Sequence, residues 1–537
     1  MILALVPLAL LCLQSPSIAV EPGSRAPKFS LKSLSGDPVS LRPPARGEIL
    51  ILYFFDASDD AVETLVRFNE AVSKSSEALS LLALSRANPE KLRTFLAGKG
   101  LDSVVLHDKK GITIAYGLRR KLPAAVIVGQ GGIIGAILAP AQDANEALTA
   151  CADVFLSLLL PAPAANVYRA MPADFADEPK VRLGAGYASI LAGETGAARQ
   201  ALKALTGAAP PVSFEAHGAL GFLEFRRRRD SGALAECGRA SGSGFADYVA
   251  GLANARAGLC KASSALIDRA VKGRFLFKWQ EARALNMAAR SAEAREDGEA
   301  ALRSYRRAAS LAPLNSTIGA NLLAYHWRNG NIPAAARYAE IIKSVGSGNL
   351  LAEILVDEFE SDVEFKTDIA AQKRLKKKLN AAPKQGGGKT ESRAESPRTI
   401  LVADIDVMDC VPELNALPLA CAGFLRRSME DAGPVVSIRR SHVVAAAKEI
   451  GISPEQLQNP LHLQRVARAL SADLMTVAEV GNYGGEYLLN VRIVEVHSGE
   501  IIAVVSERFS SFEELAPAIK RAASVLTKKV LAPSGAS

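Results

Sequence analysis

A short acidic turn between an apolar strand and a helix concentrates the side chains of this sequence that could do chemistry. The strand, residues 48–55, is an almost unbroken apolar run, which is typical of a strand buried on both faces. The turn supplies carboxylates and a hydroxyl but no thiol, and it contains Asp56, Ser58, Asp59, Asp60 and Glu63. Carboxylates at the start of a helix cap its free N–H groups and are stabilised by its dipole. The residues therefore predict either helix-capping acids or an acidic patch that binds a partner or a cation.

The elements that position this turn need a buried core, and the composition provides for one. At 537 residues with 49% hydrophobic content, the chain is long enough for about three domains. Its net charge of +8 comes from scattered basic residues, and only 6% of the residues are aromatic. A nucleic-acid-binding protein needs a clustered basic face with stacking aromatics, so we exclude nucleic acid as a partner.

The N-terminal segment 1–19 is apolar and ends in the small residues Ser17 and Ala19, a pattern that signal peptidase cleaves. We interpret this segment as a signal peptide. No later stretch is apolar over the ~18 residues that a membrane span needs. The mature chain is therefore predicted to act outside the cytoplasm.

Cysteines follow the predicted signal peptide at five positions, and none has the C-x-x-C spacing of a dithiol or metal site. An oxidising compartment permits disulfides, and two short-range pairs are available, Cys237 with Cys260 and Cys410 with Cys421. The alternative for each pair is burial as small apolar side chains. The sequence predicts no metal site and no cofactor.

Residues 21–157 alternate strand and helix patterns, which predicts an α/β layer fold. Within them, PGSRAPKFSLKSLSGDPVSL, ILYFFDAS, VVLHDKKGITIAYGL and LPAAVIVGQGGIIGAI follow one another in order. This series resembles the thioredoxin-like redoxins of the TlpA and AhpC/TSA type. The resemblance implies a thioredoxin-like α/β domain, and it places Pro123 at the cis-proline that faces the active site in that family.

The acidic turn departs from the redoxin pattern at both sulfur positions. Where such redoxins carry Trp-Ala-Ser-Trp-Cys-Pro-Pro-Cys, this sequence reads DASDDAVE, so Asp60 and Glu63 replace the two cysteines. Dithiol exchange needs a thiolate and a second, resolving thiol, and Cys151 is too far along the chain to be a good substitute. The resemblance therefore implies a degenerate redoxin site, without a catalytic residue, at Asp56, Ser58, Asp59, Asp60, Glu63 and Pro123.

Residues 160–370 are rich in Ala, Leu and Arg and predict a succession of helices. The segments EDGEAALRSYRRAASLAP (296–313) and NLLAYHWRNGNIPAA (321–335) resemble tetratricopeptide repeats. We expect four or five stacked helix pairs whose surface binds other proteins. The resemblance implies packing positions at Ala301, Tyr305, Ala308, Pro313, Gly330 and Ala335.

Residues 371–398 are charged, contain glycine and include few apolar side chains. Such a segment cannot bury enough surface to offset the entropy of ordering, so we predict a flexible basic linker. It would act as a spacer, or an anionic membrane surface would attract it.

Residues 399–533 alternate strand and helix patterns again, which predicts a further α/β domain. The order RTILVADID, VVSIRRSHVVAAAKEIGI and VARALSADLMTVAEVGNYGGEYLLNVRIVEVHSGEII resembles the TolB amino-terminal and CsgG-like families of bacterial envelope proteins. That resemblance implies a domain that binds proteins at the envelope and contains no catalytic residue.

Together these features predict a multidomain protein with a thioredoxin-like α/β domain, a tetratricopeptide-like helical middle and a C-terminal α/β domain. We expect a pseudoenzyme: a periplasmic scaffold or adaptor, secreted across the inner membrane, that binds other envelope proteins. Two alternatives stay open. One is a thiol oxidoreductase or antioxidant redoxin, which would need a thiol that the turn lacks. The other is a component of an envelope secretion or transport assembly. Peripheral membrane association is compatible with the scaffold and with such an assembly.

Overall fold

The computed structural model describes residues 20–75, 77–101, 105–141, 143–346, 349–381, 398–407, 417–483, 486–510 and 514–531. The chain divides into two compact units, unit 1 (Met1–Glu194) and unit 2 (Thr195–Ser537). The predicted signal peptide, Cys410 and residues 382–397 of the predicted linker lie outside the described residues.

Unit 1 is built around a mixed sheet. Its strands are β1 (Ser30–Lys32), β2 (Pro38–Ser40), β3 (Ile49–Phe55), β4 (Leu79–Ser85), β5 (Val105–His107), β6 (Ala124–Val128) and β7 (Ile134–Leu138). Its helices are α1 (Asp59–Lys74), α2 (Pro89–Leu96), α3 (Ile112–Ala115), α4 (Ala144–Ser157), α5 (Pro161–Ala170), α6 (Ala173–Ala176) and α7 (Pro179–Ala192). The strand order is β5-β4-β3-β6-β7. Strands β3, β4 and β5 are parallel, β6 is antiparallel to β3, and β7 is antiparallel to β6.

The centre of this sheet follows from the apolar pattern of the sequence. Every residue of β3 is buried, as expected for a central strand. Helix α1 turns Val62, Leu65 and Phe68 inward, and Phe68 packs edge-on against Tyr53 with ring centroids 5.2 Å apart. Helix α5 packs against α1 and α4, and α7 packs against α5. Unit 1 therefore continues past residue 157, where the sequence predicted the redoxin-like domain to end.

Unit 2 begins with a mostly helical region. Its helices are α8 (Thr195–Lys203), α9 (Val212–Arg226), α10 (Asp230–Cys237), α11 (Gly244–Arg256), α12 (Cys260–Ala270), α13 (Lys278–Ala294), α14 (Gly298–Leu311), α15 (Ser316–Arg328), α16 (Ile332–Val345), α17 (Leu350–Thr367) and α18 (Ile369–Ala381). Consecutive helices pack in pairs: α9 with α10, α11 with α12, α13 with α14, and α15 with α16.

The residues predicted to pack helical repeats lie on α14 and α16 and in the connections beside them. Ala301, Tyr305 and Ala308 are fully buried on α14, and Ala335 is fully buried on α16. Gly330 connects α15 to α16 with φ 71°, a left-handed conformation that favours glycine, and Pro313 lies just after α14. The helical region is therefore present, and its membership of the tetratricopeptide family remains a prediction.

Unit 2 ends with a second sheet and its flanking helices. The strands are β8 (Arg398–Val402), β9 (Asp406–Val407), β10 (Val435–Ile438), β11 (Leu474–Tyr483), β12 (Glu486–Glu495) and β13 (Ile501–Phe509), and the helices are α19 (Leu417–Ala432), α20 (Arg440–Glu449), α21 (Pro460–Ala469) and α22 (Leu515–Leu531). The order is β10-β8-β11-β12-β13, and β9 pairs with β11. β8 is parallel to β10 and β11, whereas β11, β12 and β13 form an antiparallel meander.

Helix α17 joins the helical region to this second sheet. One hydrophobic cluster includes Leu323 and Trp327 of α15, Phe359 of α17, Leu425 of α19 and Ile400 of β8. Helix α18 then packs against α20, and it covers the first part of the segment that we predicted to be a flexible linker. That prediction was wrong for residues 371–381, because Leu375 and Leu379 provide an apolar face for a neighbouring core.

Candidate functional site

The acidic turn lies where β3 ends and α1 begins, and it is open to solvent. Asp56, Ser58, Asp59 and Asp60 are all exposed. Ser58 is the N-cap residue of α1, but its hydroxyl donates a hydrogen bond to Asp56 Oδ1 (2.8 Å) and makes no side-chain cap. Asp59 and Asp60 occupy the first turn of the helix, where its dipole stabilises negative charge. The local structure is that of helix-start acids.

Glu63, at the second of the redoxin sulfur positions, forms a surface ion pair. Its Oε1 atom lies 3.2 Å from Arg67 Nη2, one helical turn later, and Arg67 also contacts Asp174 of α6 at 3.3 Å. The Glu63 and Asp174 side chains are 68% and 62% exposed, so water screens these pairs and each contributes little stability. The Glu63 side chain therefore belongs to the solvated surface of α1.

Pro123 lies at the same edge of the sheet as the turn. The peptide bond between Leu122 and Pro123 is cis, the isomer that the redoxin resemblance implies at this position. Phe54 of β3 pairs with Ala124 of β6, so the register brings Pro123 beside the end of β3, where the turn starts. This much of the redoxin arrangement is retained without the sulfurs.

Three basic residues precede this proline, and the sequence reasoning did not single them out. Arg119, Arg120 and Lys121 are consecutive and exposed. Because they lead into β6, they belong to the edge of the sheet that also carries the acidic turn. The signal in the sequence is the uninterrupted basic triplet, which one residue, Leu122, separates from Pro123. We call the turn and this triplet together the charged edge.

Thiols elsewhere in the described residues do not compensate for the missing pair. Cys151, Cys237 and Cys421 are free and buried. Burial raises the pKa of the Cys151 and Cys421 thiols far above the usual value, and burial together with the nearby Asp247 carboxylate raises the pKa of Cys237 to about 12. A raised pKa disfavours the thiolate, which is the reactive form.

The predicted short-range disulfides are wrong. Cys237 is free, so it does not pair with Cys260, and Cys421 is free, so it does not pair with Cys410. Cys260 is itself disulfide-bonded. Cys237 instead packs as a small apolar residue against Gly221 of α9, where a Cβ would lie 2.6 Å from its sulfur.

Unit 2 contains a small pocket where the connections before α9, α11 and α13 meet. Its volume is about 280 Å³, below the ~300–1,000 Å³ of typical ligand pockets, so it suits a single side chain. Glu215 lines it, is buried, and accepts hydrogen bonds from Gln280 and from Ser243, the latter at 3.3 Å. The exposed Arg274 also lines it. No pattern in the sequence indicates this pocket, because Glu215 looks like an ordinary helix residue.

No group of three or more metal-ligating side chains is present among the described residues. Likewise, no helix within the described ranges is both long enough and apolar enough to span a membrane.

Comparison with known proteins agrees with the fold of unit 1. Residues 22–137 match the AhpC/TSA family. The thioredoxin-like protein YneN of Bacillus subtilis (strain 168) is 26% identical over 121 residues, which is 22% of this chain and 71% of that protein. Residues 22–137 therefore form a thioredoxin-like domain of the AhpC/TSA type.

Solved structures also resemble parts of the chain. A secreted Mycobacterium tuberculosis disulfide oxidoreductase homologous to E. coli DsbE is 20% identical, with 23% of this chain and 94% of that chain covered and a TM-score of 0.20. The LpoB C-terminal domain from Salmonella enterica is 18% identical, with 26% of this chain and 95% of that chain covered and the same TM-score of 0.20. Likeness at this level carries no conclusion about activity or partners. The TolB- and CsgG-like resemblance remains a prediction.

Proposed function

We propose that this protein is a non-catalytic scaffold that binds other proteins in the bacterial envelope. One observation carries the proposal: the two positions that hold sulfur in redoxins are occupied by Asp60 and Glu63, at the exposed start of α1. The domain keeps the sheet, the helix start and the cis-proline of a redoxin but has lost the groups that exchange electrons.

The remaining cysteines favour the same conclusion. A thiol peroxidase or oxidoreductase needs an accessible, low-pKa thiolate. The free thiols of the described residues are buried, and burial raises their pKa. An enzymatic redoxin would therefore have to expose a core residue such as Cys151 before it could react.

Two surfaces suit protein binding. The charged edge presents carboxylates and a basic triplet at one edge of the unit 1 sheet, so it would favour a partner segment with both signs of charge. The pocket at Glu215 and Arg274 would accept one side chain of a protein docked on the helical region. The envelope location depends on the apolar segment 1–19.

Crosslinking in intact cells, followed by purification and mass spectrometry, tests the proposal. Deletion of residues 160–370 would not be a clean control, because α15 and α17 share a core with the second sheet. We would instead compare wild type with Arg119→Glu/Arg120→Glu/Lys121→Glu and with Arg274→Glu. The matched control is Lys32→Glu/Arg42→Glu/Arg46→Glu, which reverses three exposed charges elsewhere on unit 1.

We expect a few reproducible envelope proteins in wild type and in the control, and their loss in at least one of the two surface variants. An empty result in wild type would contradict the scaffold. So would reduction of a disulfide or a peroxide by the purified protein at a rate that Cys151→Ser abolishes, which would restore the enzymatic alternative.

A further inference from the structure

Helix α18 has an unusual charge content for a surface helix. Its sequence, IAAQKRLKKKLNA, includes five basic residues and no acidic residue. Four of the five are lysine, at positions 373, 376, 377 and 378, and the fifth is Arg374.

The apolar face of α18 is already occupied, so its basic face points outward. Leu375 and Leu379 pack against the hydrophobic cluster formed by α20, α21 and the second sheet. On the other side, Lys373, Lys376 and Lys377 are exposed. Lys376 Nζ lies 2.9 Å from Glu449 Oε1 of α20, and the exposed Lys448 directly precedes Glu449 on that helix.

Three other helices pair opposite charges at the spacing where helical neighbours meet. Glu63 pairs with Arg67 on α1, Glu299 with Arg303 on α14, and Asp362 with Lys366 on α17, each four residues apart. On α18 the residues at this spacing have the same sign of charge: Lys373 and Lys377, and Arg374 and Lys378. Like charges at this spacing destabilise a helix. A helix that served only as a spacer would gain from a glutamate here.

Nearby acids neutralise only part of the face. Asp368 lies 3.9 Å from Arg374, Glu449 pairs with Lys376, and Glu364 lies 3.7 Å from Arg439, the residue before α20. Within the described residues, Lys373, Lys377 and Lys448 form no ion pair. We call these three lysines, together with Arg374 and Lys376, the basic face.

We propose that the basic face binds the anionic headgroups of a lipid surface and holds unit 2 against a membrane. Lysine is a compact point charge that requires no fixed partner geometry, whereas arginine suits paired recognition of individual carboxylates or phosphates. A row of lysines on an exposed helix therefore suits a diffuse field of headgroups better than a shaped acidic protein. Ile369, 65% exposed at the start of α18, adds a small apolar contact.

The mode of binding follows from which face is free. Because Leu375 and Leu379 are committed to the core, α18 does not insert as an amphipathic helix, and the attraction is electrostatic. Binding should therefore weaken steeply with salt. This function is separate from the protein scaffold proposed above and does not depend on it.

Sedimentation of the full-length mature protein with vesicles tests the proposal. The probes are vesicles of phosphatidylglycerol mixed with phosphatidylcholine, and vesicles of phosphatidylcholine alone. Wild type is compared with Lys373→Gln/Lys377→Gln/Lys448→Gln. The matched control, Lys261→Gln/Lys272→Gln/Lys278→Gln, removes the same charge from exposed lysines of α12 and α13 and of the connection between them. Circular dichroism checks that each variant is folded.

We expect wild type and the control to bind the anionic vesicles only, with binding lost as sodium chloride is raised. The basic-face variant should bind roughly 100-fold more weakly, at about fivefold per lysine. Equal losses in both variants would show attraction to net charge alone and would overturn the proposal. The proposal would also be overturned if wild type bound no vesicles, or if it bound polyglutamate, an acidic polypeptide, and not the vesicles.

Discussion

The turn at the start of α1 and the inner face of α17 both carry carboxylates, but they place them in opposite surroundings. Asp59 and Asp60 are exposed, and Glu63 makes only a screened ion pair. On α17, Glu358 and Asp362 are buried, 5% and 8% exposed. A carboxylate in water can be exchanged for another residue at small cost, whereas a buried one depends on each of its partners.

The partners on α17 come from both sides of the joint between the helical region and the second sheet. Glu358 forms a bidentate ion pair with Arg426 of α19, and Asp362 accepts a 2.7 Å hydrogen bond from Trp327 Nε1 of α15. Gly423 leaves room for this contact, since a Cβ there would lie 2.8 Å from Glu358 Oε1. The acids of the turn can therefore be replaced at small cost, whereas the charges of α17 are fixed by the architecture.

The largest effect that we expect comes from Glu358→Ala. It would leave the Arg426 guanidinium, 19% exposed, without its partner, and an unpaired buried charge costs about 3–5 kcal/mol. Urea denaturation followed by circular dichroism would show the shift in the midpoint of the unit 2 transition.

The matched control is the adjacent Asp357→Ala. Asp357 lies 3.5 Å from Arg427, but both side chains are more than half exposed, at 64% and 60%. It should cost less than about 1 kcal/mol. If the two variants destabilised the protein equally, burial would not be what distinguishes the carboxylates of α17.

A smaller loss is expected from Trp327→Phe. The substitution keeps most of the apolar contact with Phe359 but removes the hydrogen bond to Asp362, for a cost of about 1–3 kcal/mol. Asp362 would still hold Lys366 at 2.7 Å, which limits the penalty. The same denaturation experiment measures it, and a loss as large as that of Glu358→Ala would contradict this ranking.

The sequence predicted the turn better than it predicted the joint. The apolar run of β3 and the acids after it depend on local pattern, and the structure places them as a buried strand and a helix start. Glu358 was not singled out, because a carboxylate in a helix usually marks a solvated face. The available signal was the spacing of Glu358 and Asp362, four residues apart on the face that also carries Leu355 and Phe359.

Other differences also come from long-range packing. Cys237 and Cys260 are near in sequence, yet Cys237 fills a gap against Gly221, and no local rule states which cysteines meet. The composition of the basic segment 371–398 predicts a flexible linker, but two leucines are enough to attach α18 to a neighbouring core. Composition gives the average tendency of a segment to be ordered, whereas the structure depends on the positions of individual side chains.

Apart from the Asp357→Ala control, the smallest change in stability is expected from Asp60→Cys/Glu63→Cys, which restores a C-x-x-C spacing to the turn. Both positions are exposed, so the cost is the helix-dipole interaction of Asp60 and the screened ion pair between Glu63 and Arg67, about 1–2 kcal/mol at most. A thiol at a helix N-terminus has a lowered pKa, so the reduced variant should react with a thiol reagent at neutral pH, whereas native wild type should not. The oxidised variant should contain a reducible disulfide at the turn. Asp60→Ala/Glu63→Ala is the control that loses the same charges without adding sulfur. Loss of more than about 3 kcal/mol in both variants would mean that the acids hold the fold together, and the contrast with α17 would fail.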